Sequence, residues 1–257
     1  MDIAVILRQV PDTEAVLVPD PARPGAVLET GVKFVLNPYD EYAVEEAVRI
    51  VEKAGGRAVG FCIGPERAEG ALRSALAMGL ESAVLISEPA AVAADIVGQG
   101  RILAAAIKPL KPALVLCGRE FIDTAEDALA AVLAQFLDLP HVLNASKLEL
   151  SADKAVVQRE SEGSTLEIEA ALPAVVSAAK GLNEPRYPTL MAIKRSKAKE
   201  VKRLTLAELG LAPAAPRSRV TALVAPPPRA KGVRVEGDAA AAAAQGLEWL
   251  SKTAKVV

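Results

Sequence analysis

The sequence contains one histidine, two cysteines and few aromatic residues, and each scarcity narrows what the chain can do. His141 alone cannot supply a histidine-based metal cluster, and Ser–His–Asp or Cys–His catalysis would have to use this one residue. Cys62 and Cys117 lie in separate aliphatic runs without CxxC spacing, so we interpret them as reduced core thiols in a cytoplasm-like compartment. The composition therefore disfavours metal sites and acid–base catalysis by histidine.

Long apolar runs and excess positive charge are also missing. No apolar stretch approaches the ~18 residues that span a bilayer, and a net charge of −2 disfavours nucleic acid as a partner. The opening run MDIAVILRQV carries Asp2 in place of a basic segment, which favours a first strand over a signal peptide. We expect no membrane insertion and a cytoplasmic location, or the mitochondrial matrix in a eukaryote, although no transit peptide is seen.

What the sequence does contain is a large aliphatic core with α/β patterning. Buried-type strands are predicted over residues 3–7, 57–63, 83–86 and 113–117, with helices between them and helices near 91–107 and 125–137. This βαβαβ order predicts a mostly parallel twisted sheet with right-handed crossovers and helices on both faces. Ligands of such sheets bind in the crevice beyond the C-terminal strand ends.

The pattern changes after residue 140. Segments 147–150, 155–159 and 166–170 alternate apolar and polar residues, which predicts antiparallel hairpins added to the parallel core, and residues 173–178 return to a buried strand. We expect an α/β nucleotide-binding domain over 1–203. Residues 204–257 would form an extended C-terminal arm, with a short helix near 206–209 and a longer one over 239–250. The arm lacks its own core, so it lies either on its own domain or on a partner subunit.

Three short segments are candidates for chemistry. The run Asn37-Pro38-Tyr39-Asp40 opens a helix, with Asn37 as its predicted N-cap. Gly64-Pro65 and the loop from Gly118 to Asp123 follow strand ends where backbone amides can meet a nucleotide, although ordinary βα turns have the same spacing. The sequence has no Walker A motif, no GxGxxG and no distinguishable pair of catalytic carboxylates. These features favour a binding or carrier protein over a hydrolase.

A basic segment near residue 190 stands apart from the aliphatic domain. Residues 180–203 contain eight Lys or Arg and two Glu, a local charge of 8 − 2 = +6 in an acidic chain. Leu190 and Met191 precede the charges inside a loop bounded by Pro185 and Pro188. A solvated face would explain the lysines but not the apolar pair. An apolar anchor beside steering charge is typical of a protein docking site.

Several motifs, in order from residue 3 to about 203, resemble the electron transfer flavoprotein β subunit. They are NPYDE with AVEEA (37–47), ALAMG (75–79), VQRE with Gly163 (157–163), LPAVV (172–176) and LNEPRYPTL (182–190). The resemblance implies a fold of the adenine-nucleotide α-hydrolase-like or flavodoxin-like type. It also implies a heterodimer with a larger α subunit that holds most of the FAD, and a role in electron transport such as fatty acid oxidation. Electrons would pass from dehydrogenases, typically of the acyl-CoA dehydrogenase type, through FAD to a membrane-bound quinone oxidoreductase.

The resemblance also assigns roles to residues. Tyr39 falls where a family aromatic approaches the flavin, and Leu190 falls on the anchoring leucine of a dehydrogenase-docking loop at about 178–200. Contacts to a structural AMP would fall on Ile6, Asn37, Pro38, Tyr39, Asp40, Ile63, Gly118, Arg119, Phe121, Ile122 and Asp123. The docking residues would be Tyr187, Leu190, Met191, Lys194 and Arg195.

One departure from the family concerns the AMP phosphate. A polar trio such as Asn-Gln-Thr is usual there, whereas this chain has Asp127, Ala128 and Leu129, preceded by Glu126. A carboxylate beside a phosphate is unfavourable, and Ala and Leu side chains donate no hydrogen bond. AMP would then be bound differently, weakly or not at all.

Three other functions stay open from the sequence. One is an electron-bifurcating β subunit, which binds a second FAD. The loop at the AMP phosphate position lacks the Gly-Asp-Thr-Ala-Gln pattern of such subunits, so bifurcation is disfavoured. A nucleotide-binding regulatory domain that acts alone is one alternative. An adenine-nucleotide hydrolase is another, although no nucleophile or metal cluster is evident for it.

Overall fold

The computed structural model describes residues 1–229, 231–232, 234–235 and 237–256. Its strands are β1 (Asp2–Leu7), β2 (Gln9–Pro11), β3 (Phe34–Leu36), β4 (Arg57–Ile63), β5 (Ser82–Ile86), β6 (Leu114–Gly118), β7 (His141–Leu150), β8 (Lys154–Ser161), β9 (Ser164–Ala171), β10 (Ala174–Ala178) and β11 (Val201–Arg203). Its helices are α1 (Pro38–Ala54), α2 (Glu69–Met78), α3 (Pro89–Val92), α4 (Ile96–Ile107), α5 (Leu129–Leu137), α6 (Leu190–Ser196) and α7 (Ala239–Trp249).

Nine strands form one sheet in the order β11–β5–β4–β1–β6–β10–β7–β8–β9. Every neighbouring pair from β11 to β7 is parallel, and β7–β8 and β8–β9 are antiparallel. A separate antiparallel pair joins β2 to β3. The predicted mostly parallel α/β sheet with added hairpins is confirmed.

The first strand shows why both faces of the sheet carry helices. Ile3, Val5 and Leu7 join an apolar cluster with α1 and α2. The intervening Ala4 and Ile6 join a second cluster with α4 and α5 on the other face. Alternate side chains of a strand point to opposite faces, so a continuous apolar run such as β1 is buried on both.

The chain order creates a switch point between β1 and β6. From β1 the chain builds β4 and then β5 on one side, and afterwards crosses to place β6 and β10 on the other. The crossovers that leave β1 and β6 therefore run in opposite directions and open a crevice at the C-terminal ends of these strands. The predicted candidate segments after β1 and β6 meet there.

Three predicted helices differ in the structure. The helix expected near 91–107 is divided, because Asp95 is extended and caps α4 by accepting from the Gly98 amide at 2.9 Å. The helix expected from 125 begins at Leu129. The short helix expected near 206–209 is a turn in which Gly210, with φ of 67°, ends the helical hydrogen bonding.

Candidate functional site

The switch-point crevice is organised by one buried carboxylate at the start of α1. Asp40 Oδ2 accepts the backbone amide of Arg8 at 2.8 Å, just after β1 ends. Its Oδ1 accepts the amide of Gly118 at 3.1 Å, at the end of β6. The two strands that flank the switch point are thus both joined to the first turn of the same helix.

Asn37 extends this connection into the loop after β6. Its Nδ2 donates to Asp40 Oδ1 at 3.0 Å and to the Glu120 carbonyl at 2.9 Å, and its Oδ1 accepts the Ile122 amide at 3.3 Å. Asn37 occupies the N-cap position, but its side chain makes no capping bond to the helix. The predicted capping role is therefore wrong, because the amide is fully used in holding the loop.

Close packing at this junction requires a glycine in β6. A Cβ built on Gly118 would lie 2.4 Å from Asp40 Oδ1 and 2.7 Å from the Tyr39 carbonyl carbon. The backbone of α1 can approach the end of β6 only because residue 118 has no side chain.

Burial controls the titration of groups in this region. Desolvation raises the pKa of Asp40 from 3.8 to about 7, and hydrogen bonds from Asn37, Arg8 and Gly118 oppose that rise. Burial likewise raises the pKa of the Cys62 thiol to about 12 and that of Cys117 further. Both thiols are free and buried, so neither is a reactive nucleophile.

The polar hub formed by Asp40 and Asn37 lies beside a crevice that other side chains of this protein fill. The Phe121 ring is 6% exposed and belongs to the apolar cluster that contains Ile6, with Ile63 packed against it. The Arg8 guanidinium lies 4.5 Å above the centre of the Phe121 ring, and its Nη2 is 3.1 Å from Asp123 Oδ2. An aromatic ring covered by an ion-paired guanidinium thus occupies the mouth of the switch point.

The turn that enters α5 is likewise held by hydrogen bonds among nearby residues of the chain. The Glu126 carboxylate accepts the Ala128 amide at 3.1 Å, and the Phe121 amide donates to the Glu126 carbonyl at 3.0 Å. Leu129, the first residue of α5, is buried in the core, and Asp127 is exposed. Of the residues predicted at the crevice, the structure brings Ile6, Ile63, the segment 37–40 and the loop 118–123 together. It places Asp127, Ala128 and Leu129 on the turn into α5.

The predicted docking residues form an exposed patch on a short helix and on the segment just before it. Tyr187 is 97% exposed and Leu190 is 86% exposed, and Met191, Lys194 and Arg195 also face solvent. Sequence reasoning assigned this stretch to a loop and missed α6. Thr189 begins the helix, because its Oγ1 accepts the Ala192 amide at 3.2 Å.

A cluster of charged groups fixes the entry to this patch. The Arg186 guanidinium contacts the buried Glu45 carboxylate at 2.8 Å and that of Glu52 at 2.6 Å, both on α1. Asn183 Nδ2 donates to the Tyr42 carbonyl and to Glu46 Oε2, each at 2.9 Å. Sequence reasoning did not predict that these glutamates pair with Arg186. The available signal was that Glu45 and Glu52 lie two helical turns apart and so share one face of α1.

The exit from the patch is fixed to α2. Arg73 Nη1 donates to the carbonyls of Ser196 and Lys199 at 2.8 and 2.7 Å. Lys199 Nζ in turn donates to the Leu76 carbonyl at 3.0 Å. The exposed residues 187–195 therefore form a bridge between two fixed ends. Beneath it lies a groove of about 540 Å³ whose lining includes Tyr42, Ala77 and Pro188.

The first part of the C-terminal arm lies on its own domain. Arg101 Nη2 donates to the Ala212 carbonyl at 2.9 Å, and Asp95 Oδ2 accepts the amides of Arg217 and Ser218. Farther along, Leu247 and Trp249 on α7 are exposed. The predicted arm, 204–257, includes four residues outside the described ranges, namely Ala230, Val233, Glu236 and Val257.

Within the described ranges, no helix combines the length and the apolar character that crossing a bilayer needs.

The fold and the two sites define a doubly wound α/β domain with a strand-end crevice and an exposed basic patch around Leu190. A family model described as the electron transfer flavoprotein domain matches residues 25–209. Because this match covers more than half of the chain, the chain belongs to the electron transfer flavoprotein family.

Curated relatives specify the subunit. Each of three is named electron transfer flavoprotein subunit beta. The protein of Bacillus subtilis is 35% identical with all of both chains covered. That of Thermoanaerobacterium thermosaccharolyticum is 40% identical over 81% of this chain and 80% of its own. That of Sus scrofa is 37% identical over 92% of this chain and 89% of its own. The resemblance found in the sequence is therefore confirmed, and the chain is an electron transfer flavoprotein subunit of the β type.

Proposed function

We propose that this chain is the β subunit of a heterodimeric redox carrier. With an α subunit it takes electrons from dehydrogenases of the acyl-CoA dehydrogenase type to FAD and passes them toward a membrane-bound quinone oxidoreductase. The observation that carries this proposal is the exposed patch around Leu190, held at both ends by buried or hydrogen-bonded charges. An exposed apolar anchor beside positive charge, held at both ends, is typical of a protein docking site.

Leu190 and Met191 are the proposed anchor of the docking patch, and Lys194 and Arg195 are its steering charges. An apolar side chain at the centre of an interface contributes most when it enters a pocket already shaped to receive it. Charges at the rim mainly accelerate encounter with an oppositely charged surface. A dehydrogenase with an apolar pocket surrounded by carboxylates is the partner that fits this patch.

FAD lies mostly on the α subunit in this proposal, and this chain forms one wall of its cleft. Tyr39 supports that role because it lies in the first turn of α1 at the crevice edge and remains partly exposed. The flavin supplies the redox chemistry when it is bound. The residues of this chain shape its surroundings and carry no acid–base step.

The distal arm is the proposed contact with the α subunit. Residues 212–218 are already held by Asp95 and Arg101 on their own domain. In contrast, α7 exposes Leu247 and Trp249. Large exposed apolar side chains are typical of a subunit interface.

AMP, the second nucleotide of the family resemblance, does not fit the residues at its phosphate position. The Glu126 carboxylate already accepts the Ala128 amide at the entry to α5. The neighbouring Asp127 adds another negative charge, and Leu129 is buried. No step of the proposed function involves AMP.

Co-expression with an α subunit tests the heterodimer. We expect the two chains to co-purify in equal amounts with one FAD, identified after the complex is denatured. A monodisperse monomer that binds no flavin in the presence of the α subunit would contradict the proposal. A second FAD would instead indicate a bifurcating β subunit. We propose a cytoplasmic location, consistent with two free cysteines.

A further inference from the structure

We propose that this chain has closed its switch-point crevice with its own side chains and does not use AMP as a structural ligand. The Phe121 ring and the Arg8 guanidinium occupy the crevice, and the Glu126 carboxylate takes the place of a phosphate at the entry to α5. The inference rests on the crevice geometry and is independent of the docking role.

The aromatic part of the closure is a stack. The Phe121 ring packs below against the apolar cluster of Ile6 and carries the Arg8 guanidinium 4.5 Å above its centre. The guanidinium is held by Asp123 at 3.1 Å. A planar base entering between these layers would have to displace a buried ring and separate an ion pair. The chain therefore fills the crevice with planar, apolar and cationic groups of its own. Nucleotide sites use groups of these kinds to hold a base, and here they contact one another instead.

The phosphate position is closed by charge. Phosphates bind helix N-termini through free backbone amides and a favourable dipole. Here the Glu126 carboxylate accepts the Ala128 amide, so an anion of the chain itself is present at that end of the helix. Residues 119–127 contain one arginine and four carboxylates, a local charge of 1 − 4 = −3. Arg8, which pairs with Asp123, reduces this excess by one, and the remaining negative charge disfavours a phosphate dianion.

The side chains of Asp40 and Asn37 leave no polar atom that requires a ligand. Both oxygens of Asp40 accept hydrogen bonds, and the Asn37 amide uses its nitrogen and its oxygen within the chain. Across the described ranges, the buried side-chain atoms without a partner are Arg159 Nε and Asn183 Oδ1. Neither residue belongs to the segments that form the crevice. The hydrogen bonds of the Asp40 and Asn37 side chains are thus complete without a nucleotide.

Nucleotide analysis of the purified heterodimer tests the inference directly. After denaturation and chromatography we expect FAD to be released and AMP to be absent. We also expect no rise in the melting temperature of the chain or of the heterodimer in 1 mM AMP. Stoichiometric AMP, or an AMP-dependent rise, would overturn the inference. Calorimetry of AMP with the chain alone gives the same answer if no heterodimer forms, so this result is separable from the proposed function.

Substitution identifies the groups that exclude AMP. The double variant Phe121→Ala/Glu126→Gln removes the ring and the anion, and we expect AMP to bind it at least tenfold more tightly than wild type. Glu120→Gln is the matched control, because it removes the same charge from the same loop without touching the α5 amide. Glu126→Gln alone, which keeps the ring, provides a second measurement if the double variant is unstable. Folded variants with unchanged AMP affinity would refute the assignment of these side chains.

Discussion

The Arg186 guanidinium binds both oxygens of the Glu45 carboxylate, with Nε at 2.8 Å from Oε2 and Nη2 at 3.1 Å from Oε1. Hydrogen bonds that its guanidinium donates to the Glu52 and Glu45 carboxylates raise the pKa of Arg186 above its ordinary value. Burial opposes ionisation of Glu45, but bonds from Arg186 and Arg49 hold its pKa below the usual range. A bidentate pair of this kind fixes orientation as well as distance. The entry to the docking patch is therefore rigid relative to α1.

The variant Arg186→Gln tests whether this pair orders the docking patch. The substitution leaves the buried Glu45 with Arg49 as its remaining cationic partner, so we expect a loss of about 1–3 kcal/mol in the free energy of unfolding. Backbone amides of residues 187–195 should exchange with solvent faster, since one end of the bridge is released. Hydrogen exchange followed by mass spectrometry measures this change.

Arg195→Gln is the control for the test of the Arg186–Glu45 pair. Arg195 carries the same charge on the same segment, but it is exposed on α6. Its removal should leave both the exchange rates and the stability unchanged. Equal exchange in the two variants would show that the Glu45 pair does not order the patch.

Leu190→Ala tests the anchor itself. We expect the apparent KM for a dehydrogenase to rise by roughly 30-fold, which corresponds to about 2 kcal/mol for a central apolar anchor. Because Leu190 is 86% exposed, FAD content and melting temperature should not change. Leu166→Ala on β9 is the matched control, because that leucine is also exposed but lies outside the docking patch. An unchanged rate at limiting dehydrogenase concentration would remove the docking role.

The sequence predicts the sheet well because its signals are local and strong. The boundaries of β4 follow from a single buried run that ends at Gly64, and β1 is an uninterrupted apolar strand. The same reasoning does not predict helix α6. Leu190 and Met191 face solvent, so the segment has no periodic apolar face that packs on a core. The partnership of Glu45 with Arg186 joins residues 141 positions apart, a distance over which periodicity carries no information.

The crevice illustrates the same limit. Asn37 precedes Pro38 and has the identity of a helix cap, so the local pattern predicts capping. In the structure its amide is used by Asp40 and by the loop 83–85 residues away. A tertiary demand on one side chain thus overrides its local preference. The sequence locates the site but does not determine the hydrogen bonds within it.

Gly118→Ala tests the close approach of α1 to β6. The new methyl group would lie 2.4 Å from Asp40 Oδ1. The methyl group cannot move aside, because the Tyr39 backbone carbon lies 2.7 Å from it. We expect overpacking to cost at least about 2 kcal/mol in the free energy of unfolding, measured by urea denaturation. Gly246→Ala on α7 is the matched control, because nothing lies within 4 Å of its added Cβ. Equal stability of the two variants would contradict the tight junction.

Asp40 predicts how stability depends on pH. Its folded pKa of about 7 lies above the unfolded value of 3.8, so between these values the native state binds the proton more tightly than the unfolded state does. Stability from this group is therefore fully present below about pH 4 and falls as pH rises toward 7. A pKa difference of about 3 corresponds to about 4 kcal/mol. Asp40→Asn cannot titrate and lacks this slope.

The measurement compares urea unfolding of wild type and Asp40→Asn at intervals from pH 4 to pH 8. The free energy of wild type minus that of the variant should fall through pH 4–7 and then become constant. Asp153→Asn, at an exposed carboxylate in the turn between β7 and β8, is the matched control. A flat difference for Asp40→Asn would mean that donation from Arg8, Asn37 and Gly118 outweighs the desolvation of the carboxylate, which would then remain ionised throughout.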